Sequence, residues 1–210
     1  MELFLFFFNL PKNILDKTMN IFKSIKNTFL RILGDIKVYL FPMFIVYDPS
    51  TYRIKGTHTR EAINTLLPGD IILRKYVNYL DGFFIPGTYS HSSIYIGGNK
   101  IIHAIAEGIE EIDVIDFLRC DGFCILRQES PCLAAKAVET AKSLLGKQYD
   151  FDFKDGNNSY YCHELTANCY PDLGIKKSKT RILGFRVKDR YLADSFLECD
   201  KFQKILEINP

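Results

Sequence analysis

Several features that would classify this chain at once are missing from it. No stretch approaches the roughly 20 apolar residues that a membrane-spanning helix needs; the N-terminal run Leu3 to Phe8 is six residues long and is stopped by Asn9 and Pro11. A secretory signal is not expected, because the chain opens with MEL instead of a positive region, the apolar stretch is short, and no small-residue cleavage site follows. Lys/Arg-rich stripes with interleaved aromatics do not recur along the chain, which excludes nucleic acid as a partner. Cys120 and Cys124 are followed by no second pair at zinc-ribbon spacing, and the alternating run GFCILR around Cys124 reads as a strand, so both are expected to be packing residues. The six cysteines are irregularly spaced in a long chain, so a disulfide framework is not compelled and a reduced compartment fits. Internal repeats and low-complexity segments are also absent. What is present is 210 residues, 47% apolar and 25% charged, enough to bury one sizeable core with an appended terminal segment.

The formal charge of +2 hides an asymmetry. Residues 1 to 40 carry six Lys or Arg against three Asp or Glu, whereas the remainder carries 21 against 22. Within that basic segment Phe22, Ile25, Phe29, Ile32 and Leu33 fall at helical spacing, and Lys17, Lys23, Lys26 and Arg31 take other positions. The spacing predicts a basic amphipathic helix over residues 13–36. Such a helix either packs on the domain or attaches peripherally to an anionic bilayer, so a cytoplasmic or peripheral-membrane setting is expected.

Further along, LLPGDIILR carries a Pro-Gly turn followed by a β-rich run, so a strand is expected from about Asp70. SSIYIG and KIIHAI, joined by Gly-Gly-Asn, read as a hairpin. Another strand is expected over Phe123 to Arg127, and an amphipathic helix over Ala134 to Leu145, ended by Gly146. The segment after Tyr170 is expected to complete the domain with a strand and a short helix, with Cys199 as a packing residue.

Three residues on these elements can do chemistry together. Cys162, in YYCHELTANCY, stands where a helix should begin, and unpaired N–H groups with the helix dipole favour a thiolate there. Free cysteine is also a common buried residue, so a base is needed to distinguish the two roles. His91 opens the first strand of the hairpin and His103 lies twelve positions later in the second, so the turn can bring their rings together on one face. An imidazole beside a thiol raises its thiolate fraction and returns the proton to the leaving group, and a partner on the far ring nitrogen fixes the tautomer.

PGDIILR, HSSIYIG, KIIHAIAEGI, GKQYDFDF and YYCHEL, in that order over residues 42 to about 170, resemble the YiiX/YebB-like cysteine hydrolases, a circularly permuted branch of the NlpC-type papain-like fold. The resemblance implies an α+β fold with an antiparallel sheet packed against helices that include the nucleophile helix. It implies a hydrolase domain over residues 42–210, and leaves 1–41 as a basic amphipathic extension. It also implies Cys162 as nucleophile, His91 as base and His103 as the residue that orients it. The order histidine, third polar residue, cysteine is that of permuted members, including the lecithin retinol acyltransferase group, which also has histidine where many bacterial members have glutamate. Tyr149 corresponds to a tyrosine that helps stabilise the oxyanion, and Tyr161 and Glu164 flank the nucleophile as candidate substrate-binding residues. Glu164 serves equally as a helix-start carboxylate.

The reaction so implied is amide or ester cleavage through a cysteine-linked acyl-enzyme, with no cofactor or metal and with a small-molecule, lipid or peptide substrate. The NlpC side of the resemblance points to cell-wall peptides and the acyltransferase side to acyl lipids. The aromatic-rich segment Val77 to Ser90 could line an apolar cleft before His91. Two other readings remain open: a zinc site drawn from His91, His103, Cys162 and His163, and a non-catalytic module that keeps the fold with an inert cysteine.

Overall fold

Short β-branched and aromatic runs separated by Gly, Pro and Asn turns build most of this molecule. The computed structural model describes residues 12–34, 36–40, 43–47, 52–77, 85–153, 158–182 and 186–210. The apolar run Leu3 to Phe8 and the centre of the aromatic segment, residues 78–84, lie outside the described residues. The first elements are helix α1 (Lys12–Gly34) and an antiparallel hairpin of β1 (Ile36–Leu40) and β2 (Met43–Tyr47). Helix α2 (Gly56–Thr65) then leads into the main sheet.

That sheet contains β3 (Ile71–Lys75), β4 (His91–Gly97), β5 (Lys100–Ile105), β6 (Gly108–Asp113), β7 (Gly122–Gln128) and β10 (Phe202–Ile208) in the order β10-β7-β3-β4-β5-β6, with every pair antiparallel. Between the strands lie α3 (Val114–Phe117), α4 (Pro131–Ser143), α5 (Cys162–Asn168), the hairpin β8 (Ser178–Ile182) and β9 (Arg186–Arg190), and α6 (Ala193–Leu197). This is the expected α+β arrangement.

Pleating sends alternate side chains to opposite faces, and helices cover both. Ile71, Leu73, Ile94, Ile102 and Leu126 pack with Ala137 and Ala141 of α4, Leu165 of α5 and Phe196 of α6. Ile72, Tyr95, Ile101, Phe123 and Ile125 pack with Ala62 of α2 and with Val114 and Phe117 of α3. Each fully buried Ile, Leu or Phe contributes about 1.5–3 kcal/mol relative to exposure.

Local signals explain the boundaries. The β4–β5 turn places Gly98 and Asn99 both at φ 60°, the paired left-handed conformation of a type I′ turn. Helix α4 starts three residues before the expected Ala134, because Ser130 caps it by accepting from Leu133 N–H at 3.5 Å and Pro131 occupies its first turn. In the Pro-Gly-Asp turn Gly69 has φ 97°, and a Cβ there would lie 2.6 Å from Cβ of Ala134. Asp70 locks this turn: its carboxylate accepts from Arg127 Nε at 2.8 Å, Arg127 Nη2 at 2.7 Å and Leu67 N–H at 2.8 Å. The β1–β2 hairpin, strand β6 and helices α2 and α3 were not expected from the sequence, and the segment after Tyr170 holds three strands, β8, β9 and β10, where one was expected. All six cysteines are free thiols; Cys124 is fully buried on β7 and Cys120 fully buried in the bend that precedes it.

Candidate active site

Helix α5 is seven residues long, begins at Cys162 and lies against β4. A buried polar cluster fixes that contact. Ser92 Oγ donates to the Cys162 carbonyl at 3.2 Å, Thr166 Oγ1 donates to the same carbonyl at 3.1 Å, and the two hydroxyls are 2.8 Å apart. His163 Nδ1 lies 2.9 Å from Ser92 Oγ. The sulfur of Cys162 donates to the Ser90 carbonyl at 4.0 Å. Cys162 is therefore held against both residues that flank His91.

On the strands, Ser93 stands opposite His103, and His91, two residues earlier on the same pleat, reaches diagonally to it. His91 Nε2 lies 3.0 Å from His103 Nδ1, with the ring planes at 80°. His103 Nε2 lies 3.2 Å from a carboxylate oxygen of Glu110, its direct partner across β5 and β6. Phe117 packs on both rings at 5.7 and 5.6 Å. The Arg74 guanidinium lies 4.3 Å from the centre of the Phe117 ring, and Arg74 is the strand partner of His91.

A carboxylate accepts from His103 Nε2–H, so His103 Nδ1 is the bare acceptor and His91 Nε2 the donor. His91 Nδ1 is then left without a proton. The two histidines are thus brought together as expected. The contact expected between His91 and Cys162 is not formed: the sulfur's hydrogen bond goes to the Ser90 carbonyl, and neither imidazole bonds to it. Alternation along β4 explains this: Ser92 faces α5, while His91 leaves the strand on the Phe117 face.

The expectation that a helix start favours the thiolate is corrected by burial. Cys162 is 3% exposed, and desolvation pushes its thiol up to about 11, against the opposing pull of the Ser92 and His163 N–H groups and the Arg74 charge. Burial also drives His91 well below the ordinary imidazole range, with the Arg74 and His103 charges adding to it. His103 falls to about 3 through burial and then Arg74, and His163 to about 3 through burial. The resting site holds a neutral thiol and neutral imidazoles.

The remaining expected residues lie on other sides of the helix start. Tyr161 is the N-cap residue; its hydroxyl accepts from Tyr191 N–H at 2.9 Å and its ring packs 5.1 Å from Phe153. Glu164, about 200° around the helix from Cys162, lines a polar cleft of about 210 Å³ with Tyr160, Asn168, Lys177 and Tyr191, and Cys162 does not line it. Tyr149 packs against Phe151 with ring centres 4.9 Å apart and planes at 60°, in a segment tied to the residues before Cys162 by Asp150 N–H to Tyr160 O at 3.3 Å and Tyr160 N–H to Gln148 O at 3.0 Å.

Sequence reasoning missed Glu110, Arg74 and the Ser92–Thr166 pair. Glu110 had a signal, since a second tight turn after KIIHAI folds it back onto His103. Arg74 had none, because the pairing of β3 with β4 spans a loop. No group of three His, Cys, Asp or Glu side chains among the described residues converges as a metal site would require.

Residues 65–206 match the family described as permuted papain-like amidase enzyme, YaeF/YiiX, C92. Protein OPG091 of Variola virus is 31% identical over 156 residues, covering 70% of this chain and 89% of that protein. Protein OPG091 of Vaccinia virus strain Copenhagen is 30% identical over a span of the same length. The crystal structure of YiiX from Escherichia coli O157:H7, titled a metalloprotein, superposes with a TM-score of 0.59 at 18% identity, covering 70% of this chain and 99% of that one, a likeness of fold. With a match that runs from the end of α2 into β10, the chain belongs to the permuted papain-like amidase family of YaeF and YiiX.

Proposed function

We propose that this protein is a cysteine hydrolase that cleaves an amide or ester bond through a thioester on Cys162, with His91 as general base and His103 orienting it. The observation that carries this reading is the 3.0 Å pairing of His91 with His103, together with the tethering of Cys162 to both neighbours of His91, its sulfur to the Ser90 carbonyl and its own carbonyl to the Ser92 hydroxyl. As the substrate carbonyl enters, Cys162 Sγ attacks its carbon and the thiol proton passes to His91 Nδ1. The protonated imidazole then delivers that proton to the departing amine or alcohol, leaving the acyl group on sulfur. Water attacks the thioester, His91 takes its proton, and the carboxylic acid leaves as the thiol is restored. The Cys162 backbone N–H supports the oxyanion, with the Tyr149 hydroxyl as second donor.

Neutral resting groups mean that the proton moves during attack, and no thiolate–imidazolium pair stands ready beforehand. The Glu110–His103 hydrogen bond keeps Nδ1 of His91 free to accept. The family description favours an amide, and the acyl group is that of a lipid or of a cell-wall peptide. Separate incubation with phospholipids and with peptidoglycan fragments, followed by mass spectrometry of products, distinguishes these.

Replacing Cys162 by Ala is expected to abolish labelling by a thiol-directed acylating probe while the fold is retained. Labelling that persists on another cysteine overturns the assignment. His91→Ala is expected to lower the rate by several orders of magnitude, as interdependent catalytic groups do.

Burial of the thiol favours one other reading, a non-catalytic module, and substrate turnover with the intact chain decides between them. A zinc site fits poorly: His91 Nε2 is engaged by His103, His103 Nε2 by Glu110 and Cys162 Sγ by Ser90, so the donors do not converge.

A further inference from the structure

Five of the eight exposed large apolar side chains among the described residues fall within eleven residues of α1: Met19 (60% exposed), Ile21 (58%), Phe22 (69%), Ile25 (61%) and Phe29 (59%). Ile21, Ile25 and Phe29 repeat at i, i+4 and i+8, and Phe22 stands beside them, so they form one continuous stripe. A stripe of this size on a surface helix marks a partner.

Charge says which one. Residues 12–34 carry five Lys or Arg and one Asp, and Lys17 and Lys23 are exposed. Lys26 instead reaches back to the domain, with Nζ 2.6 Å from Asp152. An apolar stripe with lysines nearby fits the boundary between acyl chains and anionic headgroups. It fits a second copy of the same helix poorly, since a two-fold contact would set the same lysines against each other. No helix among the described residues is long and apolar enough to cross a membrane, so such a helix would lie in the surface plane.

We infer that α1 docks this protein onto an anionic phospholipid bilayer, with Ile21, Phe22, Ile25 and Phe29 inserted and Lys17 and Lys23 at the headgroups. The Lys26–Asp152 bridge ties the docked helix to the segment that hydrogen-bonds at Asp150 with Tyr160, two residues before Cys162. Docking would thus hold the start of α5 near the lipid surface. The inference does not depend on hydrolysis, and the Cys162→Ala chain should bind as the native chain does.

The test is sedimentation of the full chain with phosphatidylcholine vesicles containing about one-third phosphatidylserine, set against pure phosphatidylcholine, with light scattering to count copies. Binding to the anionic vesicles, weakened by added salt, is expected. The pair Lys17→Gln and Lys23→Gln should weaken it about 25-fold, and Ile25→Glu with Phe29→Glu about 100-fold or more. The lysine pair changes only exposed ammonium groups, so it remains informative if the apolar pair misfolds. Failure of the native chain to bind, binding indifferent to the lysine pair, or a dimer that the apolar pair dissolves while vesicles go unbound would overturn the inference.

Discussion

Around Ser92, counting protons decides more than distance does. The Cys162 carbonyl receives both Ser92 and Thr166, which leaves Ser92 Oγ to accept from His163 Nδ1. His163 Nε2 is buried without a hydrogen-bond partner. A bare acceptor there costs less than an orphaned N–H. His163 is therefore expected to carry its proton on Nδ1 and to stay neutral down to about pH 4, in line with burial lowering it to about 3. Nitrogen-15 NMR of the ring reads this directly, and a proton on Nε2 or a titration near the free imidazole value would contradict it. Glu110→Gln removes the charged acceptor behind His103 and is expected to lower kcat/KM about tenfold, the worth of one charge-assisted hydrogen bond. An unchanged kcat/KM would remove Glu110 from the relay.

Among the elements, the Pro-Gly-Asp turn is where the fold is most exposed to a single change. Asp70 is 1% exposed and joins three segments at once, through Arg127 on β7, Leu67 and the start of β3. Asp70→Ala leaves the Arg127 guanidinium without its counter-ion and is expected to cost about 3 kcal/mol, discounted because that side chain is partly exposed. Urea unfolding measures it, and a loss under about 1 kcal/mol would show that the carboxylate contributes like a surface pair.

For the molecule as a whole, three histidines folded in neutral form set the response to acid. His91, His103 and His163 all have lowered pKa values, to about 3 for the latter two. Below the unfolded value of about 6.5 the unfolded chain binds more protons than the native one. Their contribution is thus fully present above that pH and is lost as pH falls toward the folded values. Each histidine steepens the loss by about 1.4 kcal/mol per pH unit. Urea midpoints taken from neutral pH to about pH 4.5 should fall accordingly, and a flat profile would mean that these rings are hydrated in solution.

Patterns confined to neighbouring residues were legible: the alternation in HSSIYIG and KIIHAI with Gly-Gly-Asn between them fixed a hairpin, and with it the His91–His103 pair. The helix start at Cys162 and the amphipathic period of α1 were equally local. Burial of Cys162, the side of β4 from which His91 leaves, and the field of Arg74 came only with the assembled sheet. Each depends on strands and helices distant in sequence, β3 beside β4 and α5 across it, and desolvation is a property of what surrounds a group. The chain's own order determined which groups could react, and packing decided their protonation and which of them touch.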